Sequence, residues 1–276
     1  MAKPVGISSH DVVERIRRAP VARGARVGHT GTLDPFASGL LLIVIGRATR
    51  FQRYLVGLPK SYRAVARFGV RSDTGDPTGT LTATGSTTNE HDVREALAPL
   101  TGEISQRVPM ASAVKVGGER LYRKARRGET VETPVRTITI ERLDLVEFDE
   151  TDQRATLEID CSSGTYVRRL VQDLGEACAT GAHCETLVRT AVGPFSLEDA
   201  DERNLIDLAH ALSFLPERAL SSEEAERVRH GVALPANGEI DADGGPVRLT
   251  GNGRLIAVAE RDDRTLKPVT VIPEGE

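Results

Sequence analysis

The chain has 276 residues, which is long enough for one large domain and a small one with a full hydrophobic core. Its three cysteines are odd in number and lack CxxC spacing, which argues against a disulfide framework and against a zinc site. We expect them to be buried thiols. No apolar run approaches the roughly 20 residues of a membrane span, and the first residues lack the features of a signal peptide. We therefore expect a soluble, cytoplasmic protein that does not contact a membrane.

The net charge of −4 hides two halves of opposite sign. Residues 1–136 carry 22 Lys and Arg against 12 Asp and Glu, which is +10, whereas residues 137–276 carry 14 against 28, which is −14. A basic half can neutralise phosphates while an acidic half limits indiscriminate binding, so the asymmetry favours a nucleic-acid partner. Most of the cations are arginines, which suit forked phosphate contacts, although GC-rich coding explains that usage equally well.

Periodicity and turn residues predict helices and strands in mixed order. Residues 8–18 predict a helix that begins at Ser8 or Ser9. Residues 62–70 predict a half-exposed strand, because apolar and basic side chains alternate there, and the Gly, Asp and Pro of residues 72–79 end it. Further along the chain we predict helices at 90–98, from 164 through 174 and at 222–230, and strands at 136–148, 154–162, 246–249, 254–259 and 267–272. This mixture suggests an α+β domain around a large, mainly antiparallel sheet.

An acidic residue in an unusual setting occurs in the segment GlyHisThrGlyThrLeuAspProPheAlaSerGlyLeuLeu at 28–41. Asp34 lies between small residues and the rigid Pro35, and the apolar stretch 40–45 predicts a buried strand or helix. A carboxylate on a stiff loop against apolar walls is a candidate nucleophile or base. Asp before Pro is also ordinary turn chemistry, and the local pattern alone leaves both interpretations open.

Residues 104–135 differ from the rest of the chain in their density of positive charge. The run ArgLeuTyrArgLysAlaArgArgGly at 120–128 surrounds Tyr122 with cations. Such a segment is typical of an RNA-facing insertion that becomes ordered on its ligand. A solvated helix face is the alternative.

Short motifs distributed between residues 3 and 190 point to one family. They are LysProValGlyIleSerSer at 3–9, the segment at 28–41, LysSerTyrArgAla at 60–64, AspThrGlyAspProThrGly at 73–79, SerAlaValLys at 112–115, CysSerSerGlyThrTyrValArg at 161–168 and GlyAlaHisCysGluThrLeuValArgThr at 181–190. With these motifs in this order, the chain resembles the bacterial tRNA pseudouridine synthase B (TruB) family. AlaGluArgValArgHisGly at 225–231 and LeuLysProVal at 266–269 resemble the family's C-terminal PUA-like RNA-binding module.

The resemblance implies a pseudouridine synthase fold, in which helices and loops flank a large mixed, mainly antiparallel sheet and a small PUA-like β module follows. It places the catalytic domain at 1–214, with 104–135 as a thumb-like RNA-binding insertion, and the PUA-like domain at 215–276. The acidic stretch between Glu239 and Asp243 predicts a weakened RNA role for this module.

The implied reaction is the isomerisation of uridine 55 in the T loop of tRNA to pseudouridine, with the nucleotide flipped out of its stack. Asp34 is then the catalytic residue, which either attacks the ribose or removes a ribose proton. Arg168 pairs with it, because an unpaired buried carboxylate would become protonated; a surface position for Arg168 is the alternative. We expect no cofactor and no metal, the T arm of tRNA as the partner, no obligate protein partner, and a monomer.

The resemblance assigns four more residues to the substrate. Tyr62 stacks on the flipped uracil and offers its phenol for proton transfer, Tyr166 and Leu187 line the uracil pocket, and His29 fills the gap left by the flipped nucleotide. By position alone, a tyrosine in a strand is more often a core residue, and a lone histidine is more often structural. The basic residues expected to contact RNA are Lys60, Arg63, Lys115, Arg120, Arg123, Lys124, Arg126 and Arg127.

One departure from the family concerns the thumb motif, where Ala111 stands in place of an aromatic residue and one packing or RNA contact is missing. The alternative to an enzyme is a non-catalytic RNA-binding folding or assembly factor, which needs the same groove but not the chemistry of Asp34. A glycoside hydrolase would need a second carboxylate partner that is not evident and would leave the basic half without a role, so we discard it.

Overall fold

The computed structural model describes residues 1–236, 244–262 and 264–273. The chain divides into two compact units, one formed by residues 1–15, 29–43 and 56–201 and the other by 16–28, 44–55 and the described part of 202–276. The predicted boundary after residue 214 divides the chain differently. Compact units and family domains need not coincide, and the domains 1–214 and 215–276 stay a prediction. The acidic stretch between Glu239 and Asp243 lies outside the described residues.

The strands are β1 (Ala2–Lys3), β2 (Val27–His29), β3 (Ser38–Leu40), β4 (Ile43–Ile45), β5 (Lys60–Phe68), β6 (Val70–Ser72), β7 (Leu81–Ala83), β8 (Gly102–Arg107), β9 (Lys115–Val116), β10 (Glu119–Arg120), β11 (Val135–Asp149), β12 (Arg154–Cys161), β13 (Ala182–Val192), β14 (Phe195–Ser196), β15 (Glu217–Ala219), β16 (Leu234–Pro235), β17 (Val247–Gly251), β18 (Arg254–Asp262) and β19 (Thr265–Val271). The helices are α1 (Ser9–Arg18), α2 (Gln52–Val56), α3 (Glu90–Leu97), α4 (Leu121–Arg126), α5 (Val167–Ala177), α6 (Leu208–Ala211) and α7 (Ser222–Arg229), with short 3₁₀ turns at Pro20–Ala22, Gly46–Phe51 and Ala98–Leu100.

One mixed sheet organises the first unit. Its strand order is β1, β3, β13, β5, β12, β11, β8, and β14 pairs with β13. Strands β3 and β13 run parallel, and the other neighbouring pairs in this sheet are antiparallel. This topology confirms the predicted α+β class with a large, mainly antiparallel sheet. It also places β5 and β13, which carry several candidate site residues, side by side in its interior.

The core of this unit lies between the sheet and α5. The alternation predicted along β5 is present, with Ala64 and Phe68 fully buried on one face. Leu174 of α5 packs into the same cluster, and a side chain of this size contributes about 1.5–3 kcal/mol when it is fully buried. Gly175 permits the close approach of helix and sheet, because a Cβ there would lie 2.2 Å from the amide nitrogen of Ala182.

Each predicted helix or strand overlaps an observed one, although several bounds differ. The helix predicted from 164 through 174 is α5, Val167–Ala177, and the strand predicted at 254–259 extends to Asp262. The strand predicted at 62–70 ends at Phe68, because Gly69 has a φ of +73° and turns the chain between β5 and β6. A Cβ at Gly69 would lie 2.7 Å from the carbonyl oxygen of Ser86, so this turn requires glycine. The apolar stretch 40–45 forms the end of β3 and then β4 rather than one element.

The second unit contains a sheet with the strand order β15, β17, β18, β19, β16. Helix α7 packs on it and begins with the capping box formed by Ser221 and Glu224. This curled sheet with its helix agrees with the predicted PUA-like module.

Two further sequence predictions concern thiols and membranes. Cys161 and Cys184 are buried as expected, Cys178 is half-buried, and all three are free thiols. Among the described residues, no helix combines the length and the apolar character needed to cross a bilayer.

Candidate active site

Asp34 lies in the loop between β2 and β3, and hydrogen bonds fix the backbone on both sides of it. The hydroxyl of Ser9, the first residue of α1, donates to the carbonyl oxygen of Leu33 at 3.0 Å and accepts from its amide at 2.8 Å. The amide of Ala37 donates to the carbonyl oxygen of Asp34 at 3.1 Å. Leu33 and Ala37 are buried, so the loop is anchored in the core on either side of the carboxylate.

Arg189 on β13 braces the same loop at two further points. Its Nε donates to the carbonyl oxygen of Leu40 at 2.7 Å and its Nη2 to that of Gly31 at 3.1 Å. Gly39 has a φ of +108°, and a Cβ there would lie 2.3 Å from the carbonyl oxygen of Arg189. One buried guanidinium therefore ties together the two ends of the loop that carries Asp34, and glycine is required where β3 meets β13.

Arg168 stands between two carboxylates. Its Nε lies 2.9 Å from Oδ2 of Asp34, and its Nη1 lies 3.0 Å from Oδ2 of Asp76. The side chains of Arg168 and Asp76 are 4% and 6% exposed, whereas that of Asp34 is 36% exposed. The structure thus brings the predicted partners Asp34 and Arg168 together and excludes a surface position for Arg168. Asp34 is the member of the group that a substrate can reach.

Two backbone carbonyl oxygens accept further hydrogen bonds from Arg168. Its Nη1 donates to the oxygen of Thr74 at 2.7 Å, and its Nη2 donates to that of Ala111 at 2.9 Å. With four acceptors around it, the planar guanidinium is fixed, and it sets the direction of the Asp34 carboxylate. The contact with Ala111 uses the backbone, so the absence of an aromatic side chain at this position leaves the contact intact.

The electrostatic setting of Asp34 balances burial against charge. Burial raises the pKa of Asp34 above its usual range, and the Arg168 guanidinium opposes this rise without cancelling it. The negative charge of Asp76 raises the pKa of Asp34 further. A partly exposed carboxylate with a raised pKa suits a nucleophile or a general base.

Asp76 is held by the turn in which it lies. Its Oδ1 accepts a hydrogen bond from the amide of Thr78 at 2.9 Å and one from the hydroxyl of Thr74 at 2.9 Å. The carbonyl oxygen of Asp76 accepts from the hydroxyl of Ser72 at 2.6 Å. Because the turn occupies Oδ1, the second carboxylate oxygen is left to pair with Arg168.

The predicted RNA contact of Lys60 is wrong in this structure. Lys60 is 7% exposed, and its Nζ donates to the carbonyl oxygens of Val56 and Leu58 at 2.6 and 2.5 Å. Its position on β5 places it on the same face as the buried Ala64, which turns the side chain inward. Burial and the neighbouring Arg189 lower the pKa of Lys60 to about 8. Lys60 is therefore a structural cation behind the site.

Tyr62 and Arg63 are neighbours on β5 and face opposite sides of the sheet. Tyr62 packs partly buried against the core cluster. Burial raises the pKa of the Tyr62 phenol, the Arg189 guanidinium lowers it, and the charge of Asp34 raises it, so the phenol lies near both groups. Arg63 is exposed on the other face and is not part of the group around Asp34.

The remaining predicted substrate residues occupy three elements. His29 is half-buried at the end of β2, its Nδ1 accepts from the amide of Gly31 at 3.3 Å, and burial lowers the pKa of the imidazole. Tyr166 is half-buried at the start of α5, where the side chain of Gln106 accepts from its amide at 2.8 Å and donates to its carbonyl oxygen at 3.2 Å. Leu187 on β13 is 7% exposed and belongs to the core cluster.

The basic insertion 104–135 forms the hairpin β9–β10 followed by α4. Leu121 is fully buried, and its amide donates to the carbonyl oxygen of Val114 at 2.8 Å. Arg127 pairs with both Glu119 and Glu129 at 2.7 Å, so two carboxylates already neutralise it. The other predicted RNA contacts of this segment are Lys115, Arg120, Arg123 and Arg126, which are exposed, and Lys124, which is half-buried.

The groups gathered around Asp34 are carboxylates, guanidinium groups and a phenol. This set can perform nucleophilic or acid–base chemistry on a neutral substrate. Among the described residues, no group of three His, Cys, Asp or Glu side chains is arranged to hold a metal ion.

Comparison with known protein families shows to which family the chain belongs. The family model described as TruB family pseudouridylate synthase (N terminal domain) matches residues 18–167, which is more than half of the chain. The chain belongs to the TruB family. A model described as tRNA pseudouridylate synthase B C-terminal domain matches residues 168–231, and one described as tRNA Pseudouridine synthase II, C terminal, matches residues 215–273.

Curated relatives in the TruB family match nearly the whole chain, and each is named tRNA pseudouridine synthase B. The protein from Pelotomaculum thermopropionicum is 39% identical over an alignment of 301 positions, gaps included, and the alignment covers 98% of this chain and 95% of the relative. Those from Thermobifida fusca and Burkholderia mallei are 41% and 42% identical, covering 98% and 99% of this chain and 96% and 95% of the relatives.

Solved structures confirm the pseudouridine synthase fold. A chain in the crystal structure of a Cbf5–Nop10–Gar1 complex has a TM-score of 0.72 at 24% identity, covering 99% of this chain and 82% of that one. A chain in the structure of an H/ACA RNP bound to a substrate RNA containing 2′-deoxyuridine has a TM-score of 0.71 at 21% identity, with coverage of 98% and 83%.

Sequence reasoning missed two residues of this TruB-family site, Asp76 and Arg189. A signal existed for each. The AspProThr run that begins at Asp76 predicts a turn in which the following threonine donates to the aspartate. Arg189 occupies an inward position on an alternating strand, where an arginine must find several acceptors.

Proposed function

We propose that this protein converts uridine 55 in the T loop of tRNA to pseudouridine, with Asp34 as the catalytic residue. As a member of the TruB family, the protein is a tRNA pseudouridine synthase, an isomerase. The proposal adds the position in the RNA and the roles of individual residues. Its main support is the partly exposed Asp34 carboxylate held at 2.9 Å by a buried arginine.

The reaction breaks the bond between N1 of uracil and C1′ of ribose and forms a bond between C5 and C1′. The proton on C5 leaves and N1 takes up a proton, so the product is an isomer of the substrate. Asp34 begins this sequence either by attacking C1′ or by removing a ribose proton, and both routes need an ionised carboxylate against the sugar. The nucleotide must leave its stack for the carboxylate to reach it.

Arg168 acts as a positioning residue for Asp34. Its positive charge opposes the effect of burial on the pKa of Asp34 and so favours the reactive, ionised form. The second ion pair with Asp76 and the bonds to two carbonyl oxygens prevent the guanidinium from following the carboxylate if it moves. The carboxylate is thereby prepared before the substrate arrives, which lowers the reorganisation that the reaction needs.

Tyr62 provides a ring on which the detached uracil stacks. Because burial raises its pKa, the phenol stays protonated and passes a proton on rather than holding a negative charge. Tyr166 and Leu187 line the uracil pocket, and His29 enters the gap left by the flipped nucleotide. The exposed cations of the insertion 104–135 contact phosphates of the T arm.

The test is to incubate the purified full chain with an unmodified tRNA transcript in the presence of a chelator and to map pseudouridine. We expect pseudouridine at position 55 with the wild type and none with Asp34→Asn. Asp73→Asn is the matched control, because Asp73 is an exposed aspartate outside the Arg168 group, and it should retain activity. Equal product from Asp34→Asn would contradict the role of Asp34, and binding of tRNA without product from the wild type would support a non-catalytic RNA-binding factor.

We further propose that the protein works as a monomer in the cytoplasm. The solution mass of the purified chain, measured by light scattering with and without tRNA, should equal that of one chain plus at most one RNA. A mass of two chains would contradict this proposal.

A further inference from the structure

A set of arginines outside the site lies on two segments, residues 16–28 and 44–55. These segments contain no Asp or Glu. Their arginines are all exposed, and we call them the arginine patch: Arg17, Arg18, Arg23, Arg26, Arg47, Arg50 and Arg53. Such a concentration of one charge, with no acid inside either segment, favours a partner of opposite sign.

The two segments lie side by side. The amide of Gly46 donates to the carbonyl oxygen of Arg26 at 2.7 Å. Gly28 lies so close to the other segment that a Cβ there would be 3.3 Å from the side chain of Gln52 and 3.6 Å from that of Val44. The segments belong to the same compact unit as the C-terminal sheet, so the patch is part of a folded scaffold rather than of free loops.

The described acidic residues of the same unit neutralise only part of the patch. Several of these acids pair with arginines of the C-terminal region itself: Glu217 with Arg248, Glu224 with Arg218 and Glu226 with Arg229. Within the patch, Arg53 pairs with Glu260. In contrast, Arg18, Arg23, Arg26 and Arg50 form no ion pair with any residue of 1–236, 244–262 or 264–273.

The chemistry of the patch suits a phosphate backbone better than a protein surface. Guanidinium groups bind phosphate oxygens in a forked geometry. A stable protein interface has apolar or aromatic anchors at its centre, and Val21 is the one large apolar side chain that is strongly exposed in these two fully described segments. We propose that the arginine patch binds phosphates of the substrate RNA and forms a second RNA surface in addition to the site around Asp34. The identity of that RNA as tRNA rests on the proposed function.

The experiment measures the affinity of the full chain for a tRNA transcript as a function of salt. In the patch variant, glutamine replaces Arg18, Arg23, Arg26 and Arg50. The control variant removes the same number of charges at exposed or half-buried arginines that already pair with acids, and carries Arg94→Gln, Arg142→Gln, Arg154→Gln and Arg229→Gln. Both variants are checked for folding by circular dichroism.

Each lost phosphate contact lowers the slope of log affinity against log salt by about 0.7–0.9, so four contacts correspond to a change of about 3. Raising the salt from about 50 to about 200 mM should therefore weaken binding by the wild type about 60-fold more than binding by the patch variant. The control variant should keep a slope close to that of the wild type. Equal slopes for the patch variant and the wild type would overturn the proposal.

The experiment distinguishes a failure of the arginine patch from a failure of the proposed function. Pseudouridine at position 55 together with an unchanged slope in the patch variant would reject the patch and leave the function standing. A lowered slope without any product from the wild type would support the patch and reject the function.

Discussion

Replacing Asp76 by Asn tests whether Arg168 needs both of its counter-charges. The substitution keeps the size of the side chain and an oxygen for the hydrogen bonds from Thr74 and Thr78, but it removes one negative charge from a buried group. Removing one partner of a buried ion pair costs about 3–5 kcal/mol, because the remaining charge stays buried. The side chain of Asp76 is 6% exposed, whereas that of Asp34 is 36% exposed and remains as the second counter-charge of Arg168; we therefore expect the lower end of this range, about 3 kcal/mol.

Urea and thermal unfolding measure this loss. In a domain of 150–250 residues, 1 kcal/mol corresponds to about 2–4 °C in Tm, so Asp76→Asn should unfold on the order of 10 °C lower than the wild type. Asp73→Asn changes an exposed aspartate in the same loop, whose carboxylate accepts from the amide of Thr80, and should stay within about 0.5 kcal/mol. Equal stability of the two variants would refute the reasoning.

The same substitution should change the pH dependence of the reaction. The charge of Asp76 raises the pKa of Asp34, so its removal should lower that pKa. Since Asp34 reacts in its ionised form, the acidic limb of the kcat profile should move to lower pH in Asp76→Asn and stay in place in Asp73→Asn. An acidic limb at the same pH in all three proteins would show that Asp76 does not act on Asp34.

Three other substitutions give distinct outcomes. Asp34→Asn should lose activity. Because the pKa of Asp34 is raised in the folded state, its ionisation destabilises the fold as pH rises through that pKa, and this pH-dependent loss of stability should be absent from Asp34→Asn; the same pH dependence of Tm in both proteins would contradict the raised pKa. Gly39→Ala should lower the free energy of unfolding by more than about 2 kcal/mol and remove most of the activity, because its Cβ would lie 2.3 Å from a carbonyl oxygen. Gly6→Ala, with a φ of +89° but open space around it, should lower the free energy of unfolding by about 1 kcal/mol. Similar losses of stability in the two variants would argue against the clash. The pKa of Lys60 is lowered to about 8 in the folded chain, so between pH 8 and 10.5 the unfolded chain holds a proton that the folded chain has released. The free energy of unfolding should therefore increase by up to about 3 kcal/mol as pH rises through this range. Urea unfolding should show a smaller increase in Lys60→Met, and the same pH dependence in both proteins would contradict the lowered pKa.

Local patterning was sufficient for most of the longer elements, although β13 was not predicted from it. The alternation along β5 and the cap of α1 predict these elements within two residues of their observed bounds, and the predicted helices at 164–174 and 222–230 overlap α5 and α7. Such patterns depend on residues a few positions apart, which is the range over which helices and strands repeat. The local pattern around Asp34 leaves a reactive carboxylate and an ordinary turn open, and the family motifs favour the first.

The local sequence does not predict the surroundings of Asp34, because the charged groups near it come from residues far along the chain. Arg189 reaches the carbonyl oxygen of Leu40 across 149 positions, and Arg168 reaches Asp76 across 92. The inward position of Lys60 likewise depends on which face of the sheet meets the core. The sequence therefore predicts most of the longer elements, the family and the candidate carboxylate. The pKa of that carboxylate, its second counter-charge and the burial of Lys60 follow from tertiary packing, because burial and Coulomb interactions depend on distances in space.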